Sequence, residues 1–114
     1  MTDPKPGVLA VVTEVEPAYE EEYNRWLSEE VLPARVALDG VRGARQWIIK
    51  DIGQRVGISM GQLPKYLLMY DLDDMTIPIQ PPFQALAGRS EWGKRITPHM
   101  FNTYRGNFEE IFRL

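Results

Sequence analysis

Apolar residues are grouped along the chain in a pattern that predicts strands in its first two thirds. The segment Gly7–Val15 is rich in β-branched and apolar residues and lies between Pro6 and Pro17, which is typical of a buried strand. The segments Gly43–Ile49 and Lys65–Leu72 have the same character. We expect these last two segments to be neighbouring antiparallel strands.

The first predicted helix begins at Pro17, because proline is favoured in the first turn of a helix. Carboxylates near the positive end of this helix stabilise it, and the sequence places three there: Glu20, Glu21 and Glu22. Apolar residues then recur at helical spacing, at Tyr19, Tyr23, Trp26, Leu27 and Val31. Pro33 is expected to kink or restart the helix, and Asp39-Gly40 to end it.

The last third of the chain predicts a second helix and a final strand. The helix is predicted from the spacing of apolar and small residues at Phe83, Leu86, Ala87, Ser90 and Ile96. Gly88 and Gly93 lower the helix propensity of this segment. The periodicity of Asn107–Leu114 fits a strand or a short helix. The order of the preceding elements favours a strand.

The resulting order is β-α-β-β-α-β, which predicts a ferredoxin-like α+β fold with a four-stranded antiparallel sheet. At 114 residues the chain is expected to form a single domain, residues 1–114. Two helices would cover one face of the sheet and leave the other uncovered. Since an exposed apolar face favours association, we expect a homodimer that packs face to face.

Composition excludes several classes of protein. The chain has no cysteine, so disulfides and thiolate sites are excluded, and a cytoplasmic location is expected. The N-terminus lacks a basic stretch followed by an apolar run, and no apolar run reaches the roughly 20 residues of a membrane helix. We expect no association with membranes.

Charge and motifs argue against nucleic acids, metals and nucleotide cofactors. Residues 1–40 hold nine acidic and three basic residues, which would repel a phosphate backbone. With one histidine and no cysteine, the glutamates of the first helix are better explained as solvated charges than as metal ligands. Gly53, Gly57 and Gly61 match neither nucleotide-binding fingerprint, so we expect no cofactor and interpret them as a loop over a cleft or dimer edge.

Several segments resemble one known superfamily. Glu22–Pro33 and Gly40–Arg45 are similar to the first helix and second strand of the dimeric α+β barrel superfamily, and Lys65–Leu72, Pro82–Leu86 and Glu91-Trp92 are similar to its third strand and second helix. Members that this chain resembles include EthD-type proteins, antibiotic-biosynthesis monooxygenases, polyketide cyclases and muconolactone isomerases.

The resemblance implies which class of ligand the protein binds and how two copies of the chain assemble. Such proteins commonly hold a hydrophobic or aromatic small molecule in a cleft between helices and sheet, within a dimeric α+β barrel. Many relatives carry a histidine directly before the Leu-Pro or Ile-Pro pair of the first helix. Val31 occupies that position here, so acid–base chemistry cannot be inherited from it.

Two residues are catalytic candidates. His99 is the single histidine, and its ordinary pKa near 6.5 suits proton abstraction in a cyclisation or isomerisation. The alternative is a surface or capping histidine after Thr97-Pro98. Tyr70, beside Asp71, could present its hydroxyl to a ligand, or it could belong to the core.

Three tryptophans and one arginine are ligand-binding candidates. Trp26, Trp47 and Trp92 could line an aromatic pocket, although helical spacing alone accounts for Trp26 as a core residue. Arg45 could bind a ligand carboxylate if it is buried, whereas an exposed arginine would need no partner.

Two functions remain open from the sequence. One is a cofactor-independent cyclase, isomerase or related enzyme acting on a hydrophobic or aromatic compound. The other is a non-catalytic, ligand-binding or accessory homodimer, which the valine at position 31 favours. The position of His99 and Tyr70 relative to a pocket would distinguish them.

Overall fold

The computed structural model describes residues 5–50, 53, 63–86 and 89–114. Four strands form one sheet in the order β2-β3-β1-β4: β1 is Gly7–Val15, β2 is Val41–Ile48, β3 is Tyr66–Leu72 and β4 is Met100–Glu109. All three pairings are antiparallel. The predicted α+β fold with a four-stranded antiparallel sheet is therefore confirmed, and so is the pairing of the second and third strands.

The first helical region continues through Pro33. A 3₁₀ turn at Pro17–Tyr19 leads into α1 (Glu20–Trp26), a π-helical turn (Leu27–Val31) and α2 (Leu32–Val36). Within the π-helical turn the Leu32 N–H reaches back to the Leu27 carbonyl oxygen. Because proline has no N–H and collides with the preceding turn, the wider π turn lets the helix pass Pro33 without ending.

The second helical region is split in two. A 3₁₀ turn (Ile77–Ile79) precedes α3 (Pro81–Gln84), and α4 (Glu91–Ile96) is followed by a 3₁₀ turn at Thr97–His99. The Ser90 hydroxyl caps α4 by accepting from the Gly93 N–H at 2.9 Å. Because Ser90 begins a new helix, the prediction of a single helix from Phe83 to Ile96 is wrong. No helix in the described part of the chain has the length and apolar character needed to cross a membrane.

The last strand begins earlier than the sequence indicates. β4 begins at Met100 and ends at Glu109, whereas the predicted final strand lies in Asn107–Leu114. Pairing stops where β1 begins, because Gly7 lies opposite Glu109 and the Glu110 N–H then bonds to the Pro6 carbonyl oxygen. Gly57, Gly61, Ala87 and Gly88 lie outside the described residues.

The sheet has one covered and one open face. Alternate residues of β1 and β3 are buried beneath the helices, and the fully buried side chains there include Leu9, Tyr70, Phe83 and Ile96. The opposite face carries a transverse row in which Trp47 pairs with Leu67, Leu67 with Val12 and Val12 with Tyr104. In this row Trp47 is 46% exposed and Tyr104 66% exposed, so large aromatic side chains face away from the core.

Candidate functional site

A groove of about 410 Å³ lies between α1 and the edge strand β2. Its helical side presents three polar residues, and its other side presents two apolar residues with a glutamine and a tyrosine: Asn24, Arg25, Ser28, Gln46, Trp47, Ile48 and Tyr66. Because β2 is an edge strand, no further strand in the described part of the chain closes the groove on that side. We call this the helix–strand groove.

A chain of hydrogen bonds runs along one wall of the helix–strand groove. The Gln46 amide donates to Asn24 Oδ1 at 3.4 Å, and the Asn24 side chain bonds to the Tyr66 hydroxyl. That hydroxyl donates to Glu20 Oε1 at 3.0 Å, and Lys65 Nζ donates to the same oxygen at 2.6 Å. The groove therefore joins an apolar surface to an ordered set of polar groups.

The charges along this wall are well defined. Hydrogen bonds from Lys65 and then Tyr66 hold the pKa of Glu20 below its usual value, and the same contact raises the pKa of Lys65. Burial, followed by the hydrogen bond to Glu20, raises the pKa of Tyr66. At neutral pH the groove therefore offers a neutral phenol and two neutral amides beside an ion pair, which suits an uncharged ligand carrying an oxygen.

Tyr70 lies in the core and does not line the helix–strand groove. Its hydroxyl accepts a hydrogen bond from Arg35 Nη1 at 2.9 Å, and its ring meets Phe83 edge-on at a centroid distance of 5.2 Å. Burial raises the pKa of Tyr70, and the positive charges of Arg35 and Arg105 offset this only in part. Tyr70 is therefore a neutral phenol that supports a buried guanidinium.

His99 lies in the 3₁₀ turn before β4, the strand at the other edge of the sheet from β2. Its ring stacks on Tyr19 at a centroid distance of 3.5 Å, and its Nδ1 lies 2.7 Å from Glu16 Oε2. The Glu16 N–H also donates to the His99 carbonyl oxygen at 3.0 Å. These contacts fasten the 3₁₀ turn before β4 to the end of β1. Among the residues that the structure describes, no group of three or more His, Asp or Glu side chains is arranged to hold a metal.

Trp26 and Trp92 use their indole N–H groups within the protein. Trp26 is buried and donates to Glu30 Oε2 at 2.7 Å, and this oxygen also accepts from the Ser90 hydroxyl at 2.7 Å. Trp92 donates to Glu22 Oε1 at 3.2 Å. Both tryptophans therefore connect the first helical region to α4.

Arg45 and Trp47 lie together on the open face of the sheet. The Arg45 guanidinium is 5.2 Å from the centre of the Trp47 ring and 3.7 Å from Asp71. A hollow of about 670 Å³ lies beside them, with Arg42 and Arg113 also in its lining. Each of the three arginines in its described lining lies next to a carboxylate, so these residues bring no unbalanced positive charge to the hollow.

Comparisons with known proteins add little to this description. No family model matches the sequence, and no curated protein is similar enough to count as a relative. The structure is similar to a crystal structure of an ethyl tert-butyl ether d (EthD) family protein from Bacillus halodurans c-125, with a TM-score of 0.47 and 15% identity. The match covers 92% of this chain and 99% of that chain.

The structure brings some of the candidate residues together and separates others. Arg45 and Trp47 are neighbours, and Trp47 also contributes to the helix–strand groove. His99 and Tyr70 do not converge on this groove. The sequence interpretation did not single out Arg35, although one signal was available: it stands four residues after Val31 and extends the buried stripe Tyr23, Leu27, Val31 with a charged residue.

Proposed function

We propose that this chain is a small-molecule-handling protein, which binds a hydrophobic or aromatic compound in the helix–strand groove and works as a homodimer of the dimeric α+β barrel type. The observation that carries this proposal is the combination, in one open groove, of Trp47 and Ile48 with the hydrogen-bonded wall from Gln46 to Tyr66. An apolar lining with a few ordered polar groups is the usual composition of a small-molecule site.

The polar groups favour a neutral ligand. Among the described residues that line the groove, Arg25 is the charged one, and its guanidinium already lies 3.4 Å from Glu29. The other polar groups are amides and hydroxyls, which hydrogen-bond a carbonyl or hydroxyl oxygen without demanding a charge. An aromatic compound bearing such an oxygen fits this chemistry.

A binding or accessory role is the first interpretation of this site, since His99 and Tyr70 lie away from the groove. A cofactor-independent cyclase or isomerase is the second, and the contact between Tyr66 and Glu20 favours it. In such an enzyme the Tyr66 oxygen would take a proton from the ligand in the same step as Glu20 Oε1, 3.0 Å away, takes the hydroxyl proton, so that no free phenolate forms.

The ligand proposal can be tested with 1-naphthol, a neutral aromatic alcohol, using saturation-transfer NMR and tryptophan fluorescence. We expect binding to the wild-type protein and weaker binding to Gln46→Ala and Tyr66→Phe. The exposed glutamine of α3 provides a matched control, and Gln84→Ala should bind like wild type. Equal binding by all four proteins would place the ligand elsewhere.

The two interpretations of the site can be separated with Glu20→Gln, which keeps the shape of the side chain and removes its charge. A compound retained by the protein after native purification, identified by mass spectrometry, would be incubated with both forms. Conversion by wild type and none by Glu20→Gln, at equal affinity, supports an enzyme. Unchanged compound with both supports a binding protein.

The homodimer rests on the open face of the sheet. Phe108 and Tyr104 of β4 are 60% and 66% exposed on this face, and Trp47 lies across the sheet from Tyr104. An aromatic surface of this kind is typical of an interface between proteins. Burial against the same face of a second copy would remove it from water by two-fold symmetry.

The dimer is tested by sedimentation velocity. Tyr104→Lys adds a charge to the aromatic row of the open face, on the edge strand β4, and should give a monomer with an unchanged circular dichroism spectrum. Ile79→Lys is a matched control, because Ile79 is 67% exposed but lies in the 3₁₀ turn before α3, and this variant should stay dimeric. A monomeric wild type would refute the proposed assembly.

A further inference from the structure

Arg35 carries a buried positive charge, and no carboxylate of the described residues lies beside it. The residue is 5% exposed, and the ion pairs found in the described ranges do not include it. Burying an ionised group is costly unless an opposite charge or several hydrogen bonds compensate it. Arginine cannot lose its proton to avoid this cost.

The hydrogen bonds of Arg35 leave one edge of the guanidinium open. Nη1 donates to the Tyr70 hydroxyl at 2.9 Å, and Nη2 donates to the Phe83 carbonyl oxygen at 3.5 Å, which is a long contact. Nε is buried and has no partner in the structure. Nε and Nη2 form the edge that a carboxylate grips with two parallel hydrogen bonds.

Two aromatic rings pack against the Arg35 guanidinium. The guanidinium carbon lies 3.9 Å from the centre of the Phe83 ring and 5.3 Å from that of Tyr70. These contacts hold the guanidinium and do not satisfy Nε, which has no acceptor among the described residues. Arg105, on β4, adds positive charge near the Tyr70 hydroxyl.

We propose that Arg35 forms a binding site for a carboxylate between α2, β3 and α3, separate from the helix–strand groove. The carboxylate accepts from Nε and Nη2 and replaces the long contact with the Phe83 carbonyl oxygen. The aromatic rings beside the guanidinium favour an aromatic monocarboxylate. Because Arg35 is buried, entry requires α3 to move, and α3 is a helix of four residues.

The experiment uses sodium benzoate as the probe, with benzamide as its neutral isostere and sodium chloride at the same ionic strength. Benzoate should raise the Tm of the wild-type protein and give a measurable Kd by calorimetry, whereas benzamide and chloride should not. In ¹⁵N-labelled protein the Nε–H resonance of Arg35 should move downfield with benzoate alone. This last measurement needs no variant.

Two variants locate the site. Arg35→Met should weaken benzoate binding by at least about tenfold, since it removes hydrogen bonds to a charged group. Arg45→Met removes an arginine from the open face and should leave the affinity for benzoate unchanged, as should the groove variant Gln46→Ala. The benzoate and 1-naphthol results are therefore independent, and failure of one leaves the other standing.

Three results would overturn this proposal. The first is equal behaviour of benzoate and benzamide with the wild-type protein. The second is a benzoate-induced rise in Tm without movement of the Arg35 Nε–H resonance. Because this result is measured on the wild-type protein, it tests the proposal even if Arg35→Met does not fold. The third is loss of benzoate binding in Arg45→Met.

Discussion

Replacing Tyr70 by phenylalanine tests whether the buried guanidinium of Arg35 depends on a single hydroxyl. The change removes one oxygen and keeps the ring that packs edge-on against Phe83. Arg35 Nη1 then loses its 2.9 Å acceptor, and the guanidinium keeps one contact of 3.5 Å to the Phe83 carbonyl oxygen. A hydrogen bond to a charged group stabilises a protein by about 1.5–3 kcal/mol, and we expect the free energy of unfolding to fall by that amount.

A double-mutant cycle isolates this interaction from the packing of the ring. When both partners of a buried hydrogen bond become apolar, the net change is about zero. Tyr70→Phe should therefore change the free energy of unfolding by less than about 0.5 kcal/mol in the Arg35→Met background. The difference between the two backgrounds is the coupling energy of the pair.

Urea unfolding followed by tryptophan fluorescence is a suitable assay, because the protein contains three tryptophans. All four proteins should be compared at one concentration, since dimerisation makes stability depend on concentration. The urea dependence of the unfolding free energy should be the same in all four. If Tyr70→Phe destabilises both backgrounds equally, the hydroxyl does not support Arg35 and our reasoning fails.

Three further predictions concern the packing and charge of the domain. Phe83→Ala removes a fully buried ring and should lower the free energy of unfolding in urea by about 3–5 kcal/mol. Gly40→Ala should lower it by at least about 1 kcal/mol, because Gly40 has φ +86° and an added Cβ would lie 2.5 Å from Ile77 Cδ1. The pKa of Glu20 is lowered in the folded state. Its contribution to the free energy of unfolding is therefore fully present above its ordinary pKa of 4.5, and it is lost as the pH falls through the folded-state pKa. The stability advantage of wild type over Glu20→Gln, measured in urea at several pH values, should shrink below pH 4.5; a constant advantage would contradict this assignment.

Much of the fold could be predicted from local patterns. β1 coincides with its predicted segment, and β3 nearly so, because alternate residues such as Leu9 and Tyr70 are buried under the helices. The start of β4 was missed, because Asn102 and Gly106 are typical of turns and mask the strand pattern. Their conformation depends on pairing with β1, at a bulge where Asn102 adopts φ 50°. Such pairing is a long-range effect that a local pattern does not contain.

The candidate site was less predictable, since it depends on which groups meet across elements. The sequence shows Arg35 as one charge in a helix, and only the fold places it against Tyr70 and Phe83. In the same way, Tyr66 and Glu20 are far apart in the chain, and their contact is made when α1 lies over β3. His99 is a catalytic candidate from its residue type alone, whereas its contacts with Tyr19 and Glu16 are set by the join between β1 and β4.

The strand order has a consequence for the synthesis of this protein. β1 is made first and lies inside the sheet, between β3 and β4, with Gly7 opposite Glu109. Its second edge stays unpaired until β4 has left the ribosome, so the nascent chain carries an open strand edge while β2, β3 and the helices between them are made. Exposed strand edges promote association with other chains. Slow translation of the segment that leads into β4 should therefore lower the yield of native protein more than slow translation of β1.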